Sequence, residues 1–224
     1  MQQPLSKRVV AEALGTFFLL AAVIGSGIMA ERLASGNTAI ALLANTVATG
    51  AALVALIIAF GSLSGAHFNP VVTLSFAWRR HLAWRDVPFY TLAQLLGGLL
   101  GVIAANVMFG LPAILLSQHP RTGMAQLLSE FIATFGLVSI ILAASRLHVA
   151  VVAVAVGTYI TAAYWFTAST SFANPVVTGA RCLSDTFTGI RASDAPGFML
   201  AQLAGGFAAA MLCRWLMPAE ESNE

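Results

Sequence analysis

The stretch that decides the fold occurs twice, as His67-Phe68-Asn69-Pro70-Val71-Val72-Thr73 and as Phe172-Ala173-Asn174-Pro175-Val176-Val177-Thr178. Asparagine is a favoured helix N-cap, and proline suits the first helical turn because that turn does not use its missing N–H. Each Asn-Pro pair, followed by apolar residues, therefore predicts the start of a helix. Both pairs lie in largely apolar surroundings, where a helix start needs a specific reason.

The composition places the chain in a membrane. Of its 224 residues, 58% are hydrophobic and 9% are charged, whereas a soluble domain carries about 25% charged residues. The net charge of +2 gives no reason to expect a nucleic-acid partner, and the sequence has no glycine-rich phosphate-binding loop. Cys182 and Cys213 fall in different helical stretches, so we expect free thiols. We expect no metal site.

Six apolar segments are long enough to span a bilayer. The first follows Lys7 and Arg8, and its length favours a retained anchor over a cleaved signal peptide. Each Asn-Pro pair opens a shorter segment, and the nine residues from Pro70 to Trp78 would form about 14 Å of helix, or half a bilayer. The predicted spans cover residues 9–30, 38–60, 87–109, 124–144, 150–166 and 198–216, and the half-spans cover residues 70–78 and 175–184. The predicted fold is an all-α membrane protein with six transmembrane helices and two half-helices.

The two halves of the chain resemble each other. Three landmarks recur in the same order, namely residues 11–17 and 129–135, the two Asn-Pro-Val-Val-Thr runs, and residues 93–98 and 201–206. Each half has three spans, an odd number, so the second half enters the membrane from the opposite side. This pattern predicts a single domain over residues 1–224, built from inverted repeats at about 6–110 and 124–216.

The lysine and arginine residues predict the orientation. With the N-terminus inside, seven of them fall on inside segments and four on outside segments. This bias favours both termini in the cytoplasm. The inside set is Lys7, Arg8, Arg79, Arg80, Arg85, Arg146 and Arg214, and the outside set is Arg32, Arg121, Arg181 and Arg191.

The two half-helices predict a pore. Non-helical backbone at membrane depth is tolerated only inside protein or beside water, so the loops at residues 65–68 and 169–173 should line a cavity. Inversion brings the half-helix N-termini together near the midplane, where each carries about +0.5 charge and repels cations and protons. The side-chain oxygen of Asn69 or Asn174 can cap its own helix, which leaves the NH₂ group free to donate to a solute. The arrangement predicts a passive channel for small neutral molecules.

On these motifs the chain resembles the aquaporin and aquaglyceroporin family, the major intrinsic proteins, over essentially its whole length. Residues 64–70, Ser-Gly-Ala-His-Phe-Asn-Pro, are similar to the family's first signature loop, and two Asn-Pro half-helices on an inverted six-span repeat are a highly specific combination. The resemblance implies a homotetramer with one pore per subunit, passive transport, no cofactor and no enzymatic activity. Val71 and Val176 stand where the family usually has alanine, a small apolar change that should preserve the helix starts.

The resemblance also implies where the pore is narrowest. Counting from the Asn-Pro pairs places the four filter residues at Thr49, Ala162, Ser171 and Val177. The family usually has an aromatic residue at the first position, histidine at the second in water-selective members, and arginine at the last. The predicted ring therefore holds no bulky or charged residue, so the opening is wider and selection for water is lost. Arg181, one helical turn beyond Val177, is a candidate to line the outer vestibule and partly restore the missing charge.

A wide, uncharged ring of this kind is similar to that of the bacterial aquaglyceroporins associated with arsenic resistance. Their substrates are neutral arsenicals that are close to polyols in shape and hydrogen bonding. The resemblance implies that the channel passes water, glycerol-like solutes and neutral arsenicals such as arsenite and methylarsenicals, for arsenic efflux. It also implies a multi-pass protein surrounded by the lipid of the bacterial inner membrane, with both termini cytoplasmic.

Two acids inside the spans, Glu12 and Glu130, occupy matching places in the two halves. They could relay protons, but their symmetry favours a structural role in which they accept hydrogen bonds from the loop backbone and brace it.

Alternative functions would require different residues in the sequence. Within the channel interpretation, a water-specific pore is the alternative. A coupled secondary transporter would need an ionisable residue in the pathway, and the predicted pathway holds none. An intramembrane enzyme would need catalytic side chains clustered at one depth, and no such cluster is found in the sequence.

Overall fold

The computed structural model describes residues 3–217, and all regular secondary structure in this range is helical. The helices are α1 (Leu5–Leu33), α2 (Thr38–Ser64), α3 (Pro70–Trp78), α4 (Val87–Met108), α5 (Met124–Ala144), α6 (Val149–Phe166), α7 (Pro175–Arg181) and α8 (Ala195–Leu216). A 3-10 turn at Trp84–Asp86 leads into α4. Six helices are long and two are short, which confirms the predicted fold class of six spans and two half-helices.

The long helices are suited to a bilayer. All six are long and apolar enough to cross a membrane. Large apolar side chains are exposed on their outer surfaces, as Val10, Leu14 and Phe18 are on α1. A surface of this kind is unfavourable in water and matches the hydrocarbon core of a membrane. The chain is therefore an integral membrane protein.

The second helix is longer than the sequence predicts. It continues past Phe60 and ends at Ser64, where Gly65 adopts a left-handed conformation with φ of 92°. The small residues before this point remain helical because tertiary contacts hold them. In particular, the Ser64 hydroxyl donates to the Glu12 carboxylate at 2.6 Å, a long-range contact that local helix propensity does not contain.

The two half-helices differ in length. The first, α3, has the bounds that the sequence predicts. The second, α7, ends at Arg181 rather than at residue 184, because the chain tightens into a turn there. The N–H of Cys182 donates to the carbonyl of Gly179 at 3.2 Å, which is a three-residue turn in place of the α-helical bond.

Glycines allow the long helices of each half to approach closely. A Cβ atom at Gly97 on α4 would lie 2.1 Å from the carbonyl oxygen of Ala13 on α1. At the matching place, a Cβ atom at Gly205 on α8 would lie 2.3 Å from the carbonyl oxygen of Phe131 on α5. Backbone cannot yield to such contacts, so both helix pairs depend on a residue without a side chain.

The neighbouring glycines connect the two halves. A Cβ atom at Gly98 on α4 would lie 2.7 Å from a methyl group of Val176 on α7, and one at Gly206 on α8 would lie 2.0 Å from a methyl group of Val71 on α3. Each half-helix therefore packs against a long helix of the other half. This interleaving fixes the half-helices, and with them the Asn-Pro pairs, relative to the surrounding spans.

Candidate pore

The half-helices begin at capping asparagines. Asn69 Oδ1 accepts a hydrogen bond from the N–H of Val71 at 2.9 Å, which satisfies a free donor at the start of α3. Asn174 Oδ1 accepts from the N–H groups of Val176 at 3.0 Å and Val177 at 3.3 Å at the start of α7. In both helices the proline that follows the asparagine occupies the first turn.

The same asparagines tie the two halves together. Asn69 Nδ2 donates to the carbonyl oxygen of Ala173 at 2.8 Å, and Asn174 Nδ2 donates to that of Phe68 at 2.7 Å. The sequence predicts that each NH₂ group is free for solute. In the structure one N–H of each amide is used between the halves, so one N–H per asparagine remains for the pore.

The approach loops hold left-handed backbone at matching positions. Phe68 and Ala173, directly before the asparagines, have φ of 49° and 50°, and Ala66 and Ser171 have φ of 51° and 50°. Residues with a side chain in such conformations cost about 1–3 kcal/mol each and persist only where their surroundings hold them.

Glu12 supplies that support for the first loop. Its Oε1 accepts from the Ser64 hydroxyl at 2.6 Å and the His67 N–H at 2.9 Å. Its Oε2 accepts from the Phe68 N–H at 2.7 Å and the Gln94 amide at 2.8 Å. The side chain is fully buried, so the carboxylate exchanges water for four protein donors and fixes the loop.

Glu130 does the same for the second loop. Its Oε1 accepts from the Phe172 N–H at 2.9 Å, and its Oε2 accepts from the Ala173 N–H at 2.9 Å and the Gln202 amide at 2.6 Å. Neither Glu12 nor Glu130 borders the cavity between the loops. The two glutamates therefore hold the loop backbone in place, and neither is positioned to pass protons along the cavity.

A cavity of about 280 Å³ runs along the loops and between the long helices. Its wall is largely apolar and comes from α1, α2, α5 and α6. Both capping asparagines border the cavity, and so do three of the four residues predicted as the filter. The polar or charged lining residues are Thr49, His67, Asn69, Ser145, Tyr164, Ser171, Asn174 and Arg181. A mostly apolar passage with polar groups at a few points suits small neutral solutes.

The filter assignment from the sequence is wrong at Ala162. This residue is exposed on the outer surface of α6 and does not border the cavity. Tyr164 borders the cavity instead, and its hydroxyl lies 3.4 Å from Thr49 Oγ1. Two residues along a helix correspond to a rotation of about 200°, so the two side chains lie on opposite faces. The position twelve residues before Asn174 therefore lies on a face of α6 that does not meet the cavity.

The cavity wall beside Thr49 therefore contains an aromatic residue, Tyr164. Four residues of interest border the cavity, namely Thr49, Tyr164, Ser171 and Val177. Tyr164 thus borders the cavity where the count placed Ala162. Which residues form the narrowest ring stays a prediction.

Arg181 lies at the junction of two cavities. It borders the pore cavity and also a second cavity of about 340 Å³, which we call the outer vestibule. Its side chain is only 1% exposed. The guanidinium carbon lies 3.4 Å from the centre of the Phe172 ring, and Nε donates to the carbonyl oxygen of Thr188. With His67, which also borders the pore, this residue corrects the expectation that the pathway holds no ionisable group.

Arg121, which no sequence motif marks as a site residue, supports the second loop. Its guanidinium donates to the carbonyl oxygens of Gly189 at 2.8 Å, Ser169 at 3.2 Å and Phe187 at 3.5 Å. Burial lowers the pKa of this group from its ordinary value. Nothing in its own stretch of sequence signals these partners, because they come from segments far along the chain.

At the other end, the pore opens into a larger cavity of about 1020 Å³, which we call the inner vestibule. His67 and Ser145 border both the pore and this vestibule. The basic residues around it are Arg8, Arg79, Arg80, His81, Arg146 and Arg214. Among residues 3–217, no group of three or more histidine, cysteine or acidic side chains is arranged to hold a metal ion.

Known proteins match the chain in sequence and in fold. Residues 1–147, more than half of the chain, match the family model described as "Major intrinsic protein". The chain belongs to the major intrinsic protein family. The aquaglyceroporin AqpS of Rhizobium meliloti (strain 1021) is 55% identical over 213 residues, which is 95% of this chain and 91% of that protein.

More distant members of the family give a consistent picture. Aquaporin NIP1-1 of Oryza sativa subsp. japonica is 35% identical over 146 residues, which cover 62% of this chain and 48% of that protein. The X-ray structure of the aquaglyceroporin from Plasmodium falciparum superposes with a TM-score of 0.77 and 19% identity, covering 96% of this chain and 98% of the other. At that identity the superposition shows the shared fold.

Membership of the major intrinsic protein family fixes the type of activity. The family consists of passive channels, so this major intrinsic protein is a membrane channel and not an enzyme. The Asn-Pro helix starts and the braced loops border the cavity inside this channel.

Proposed function

We propose that this channel passes small uncharged solutes down their gradients, namely water, glycerol-like molecules and neutral arsenicals such as arsenite and methylarsenicals. The observation that carries the proposal is Val177. It is buried, borders the cavity and stands where the resemblance to the family implies an arginine. An apolar side chain there removes a guanidinium and its donors from the constriction.

The other constriction residues fit solutes that carry hydroxyl groups. Thr49 and Ser171 are small and offer hydroxyl groups, and Tyr164 provides an aromatic surface with a hydroxyl at its edge. Polyols and the neutral hydroxides of arsenic present both donors and acceptors at similar spacing. The relative at 55% identity carries the name aquaglyceroporin, which supports solutes larger than water. The physiological role that fits is arsenic efflux.

Exclusion of ions rests on positive charge at two levels. The N-termini of α3 and α7 each contribute about half a positive charge at the centre of the cavity. Arg181 adds a whole charge at the outer end, one helical turn beyond Val177, and so partly restores what the constriction lacks. Protons and metal cations are repelled at both places, whereas uncharged solutes are not.

The orientation and assembly that we propose follow the sequence. The arginines around the inner vestibule support a cytoplasmic inner end, which puts both termini of a multi-pass protein of the bacterial inner membrane in the cytoplasm. Residues 1–224 form a single channel domain with inverted repeats at about 6–110 and 124–216. Four copies assemble in lipid as a homotetramer with one pore each, without a cofactor.

The test is solute flux through the purified channel in proteoliposomes, measured by stopped-flow light scattering. The parent should pass water, glycerol, urea and arsenite. Val177→Arg should lose most glycerol and arsenite flux while retaining water flux, because it adds a charged fork of donors to the constriction. Val177→Leu, which adds bulk without donors, separates the effect of size from that of charge. Identical discrimination among solutes by the parent and Val177→Arg would contradict the proposal.

The same measurement distinguishes the water-specific alternative. A water-selective pore would give fast osmotic shrinkage and no glycerol flux in the parent. A coupled transporter would instead give solute flux that follows an imposed pH gradient, and the passive channel gives flux that depends on the solute gradient alone.

A further inference from the structure

The outer vestibule brings two arginines to one small space. Arg121 and Arg181 both border it, and Arg181 also borders the pore cavity. The other polar residues around it are Thr38, Asn45 and Thr170. A solute in this space lies beside two guanidinium groups.

Arg181 has a hydrogen-bond donor without an acceptor. Its Nε is bonded to the carbonyl of Thr188 and its flat face lies against Phe172. Its Nη1 is buried and has no hydrogen-bond partner in the described part of the chain. A buried donor on a charged group is costly to leave unpaired, so this atom is suited to an acceptor that arrives through the cavity.

Ser171 provides a second unpaired group at the same junction. Its Oγ is buried and lacks a partner among residues 3–217, and its side chain borders the pore cavity together with Arg181. Ser171 is held there by a left-handed backbone with φ of 50°, which places it in the braced loop. A hydroxyl and a guanidinium together match a ligand with several acceptor oxygens.

The charge at this mouth is not neutralised by ion pairs. Neither Arg121 nor Arg181 forms a salt bridge within the described residues. Glu130 lies close enough to act on both electrostatically, but its oxygens already accept bonds from the loop backbone and Gln202. The Asp194 carboxylate accepts from the backbone N–H of Arg121 at 2.9 Å but is paired with Arg191 at 3.1 Å. Three cations and two anions leave a positive site.

We propose that the junction of the outer vestibule and the pore cavity, at Arg181, binds a small oxyanion of about the size of phosphate. Arg181 Nη1 and the Ser171 hydroxyl hold its oxygens, while Arg121 attracts it by charge because its own donors are engaged with loop carbonyls. Arg181 borders both the vestibule and the pore cavity, so an oxyanion bound to it obstructs the entry of neutral solutes. This last consequence rests on the proposed function, and the binding itself does not.

Binding is tested directly by isothermal titration calorimetry of the purified channel in detergent, with inorganic phosphate as the probe and chloride as the background salt. The parent should bind one phosphate per chain with millimolar affinity. Arg181→Gln should weaken binding by about tenfold or more, the effect of losing one charge-assisted contact. Arg32→Gln is the matched control, since Arg32 lies at the same end but outside the vestibule and should bind phosphate as the parent does.

Two further variants distinguish a loss of phosphate binding from a loss of folding. Ser171→Ala should weaken phosphate binding severalfold without any change of charge, and Arg181→Lys should retain part of it. Size-exclusion profiles and circular dichroism spectra establish that each variant is folded. A parent that binds no phosphate, or an Arg181→Gln variant that binds it as the parent does, would overturn the proposal.

The consequence for transport has its own readout. Phosphate added to the outer side of proteoliposomes should slow glycerol flux through the parent and through Arg32→Gln, and should leave Arg181→Gln unaffected. If the parent passes no neutral solute, the proposed function fails, and calorimetry still decides whether the oxyanion site exists. The remaining outcome is a parent that conducts glycerol, binds no phosphate by calorimetry and shows the same glycerol flux with and without phosphate. That result would overturn the oxyanion site and leave the proposed function standing.

Discussion

The amide nitrogen of Asn174 lies 2.7 Å from the carbonyl oxygen of Phe68, at the end of the opposite approach loop. The reciprocal bond from Asn69 to Ala173 measures 2.8 Å. Each asparagine therefore caps its own half-helix with its oxygen and holds the other loop with its nitrogen. The centre of the pore is a closed set of four polar groups, and a change at one of them affects both halves.

A negative charge at this centre should make the channel leak cations. In Asn69→Asp the carboxylate can still cap α3, but it cannot donate to Ala173 and it offsets the positive helix ends that exclude cations. We expect glycerol flux to fall and sodium permeability to appear, measured in proteoliposomes with an ion-sensitive dye. Asn37→Asp is the control, because Asn37 caps the exposed start of α2. Sodium exclusion by Asn69→Asp equal to that of the parent would refute the assigned barrier.

Neutralising a loop brace should destabilise the fold. In Glu130→Gln an NH₂ group replaces an oxygen that accepts bonds from N–H donors, so two donors face each other. The expected loss is about 3 kcal/mol of unfolding free energy, the scale for breaking a buried charged contact. Detergent-induced unfolding followed by circular dichroism measures it. The exposed Glu31 provides the control, Glu31→Gln, which should unfold as the parent does, and equal stability of all three proteins would contradict the bracing role.

The helix starts could be predicted from the sequence because their chemistry is local. An asparagine followed by proline determines where α3 begins within two residues of chain, and the bounds of α3 agree with the prediction. The fold class follows from the lengths of the apolar segments, which depend only on bilayer thickness. The brace at Glu12 could be anticipated from the symmetry of the halves, although its contact with Ser64 lies 52 residues away.

The filter could not be derived in the same way. Which face of α6 meets the pore depends on the rotation of that helix, and packing sets the rotation. A Cβ atom at Gly157 on α6 would lie 2.7 Å from the carbonyl oxygen of Gly50 on α2. This contact helps to turn Tyr164 toward the cavity and Ala162 away from it. Counting residues from Asn174 contains no information about such a contact.

Tyr164, rather than Ala162, should therefore set the largest solute that the channel passes. Tyr164→Ala removes an aromatic ring from the cavity wall and should raise the flux of erythritol and larger polyols severalfold relative to glycerol. Tyr164→Phe keeps the ring and should retain the size limit of the parent. Stopped-flow measurements with a series of polyols test both variants.

The matched control is Ala162→Val, which adds bulk at the position chosen by counting. Because Ala162 is exposed outside the pore, this variant should discriminate polyols as the parent does. A narrower size limit in Ala162→Val, together with no change in Tyr164→Ala, would restore the original assignment.

Glycine at position 205 should be essential for the contact between α5 and α8. In Gly205→Ala the new Cβ would lie 2.3 Å from the carbonyl oxygen of Phe131, and backbone can yield only if the helices separate. Overpacking of this kind costs about 1–3 kcal/mol, and the displaced α8 would also move Gln202, which holds Glu130. We expect lower resistance to detergent-induced unfolding and reduced glycerol flux. Gly179→Ala is the control, because its Cβ would meet only the flexible end of Met199 at 3.1 Å. If Gly205→Ala were as stable and as conductive as Gly179→Ala, close helix contact would not be what holds this half of the channel together.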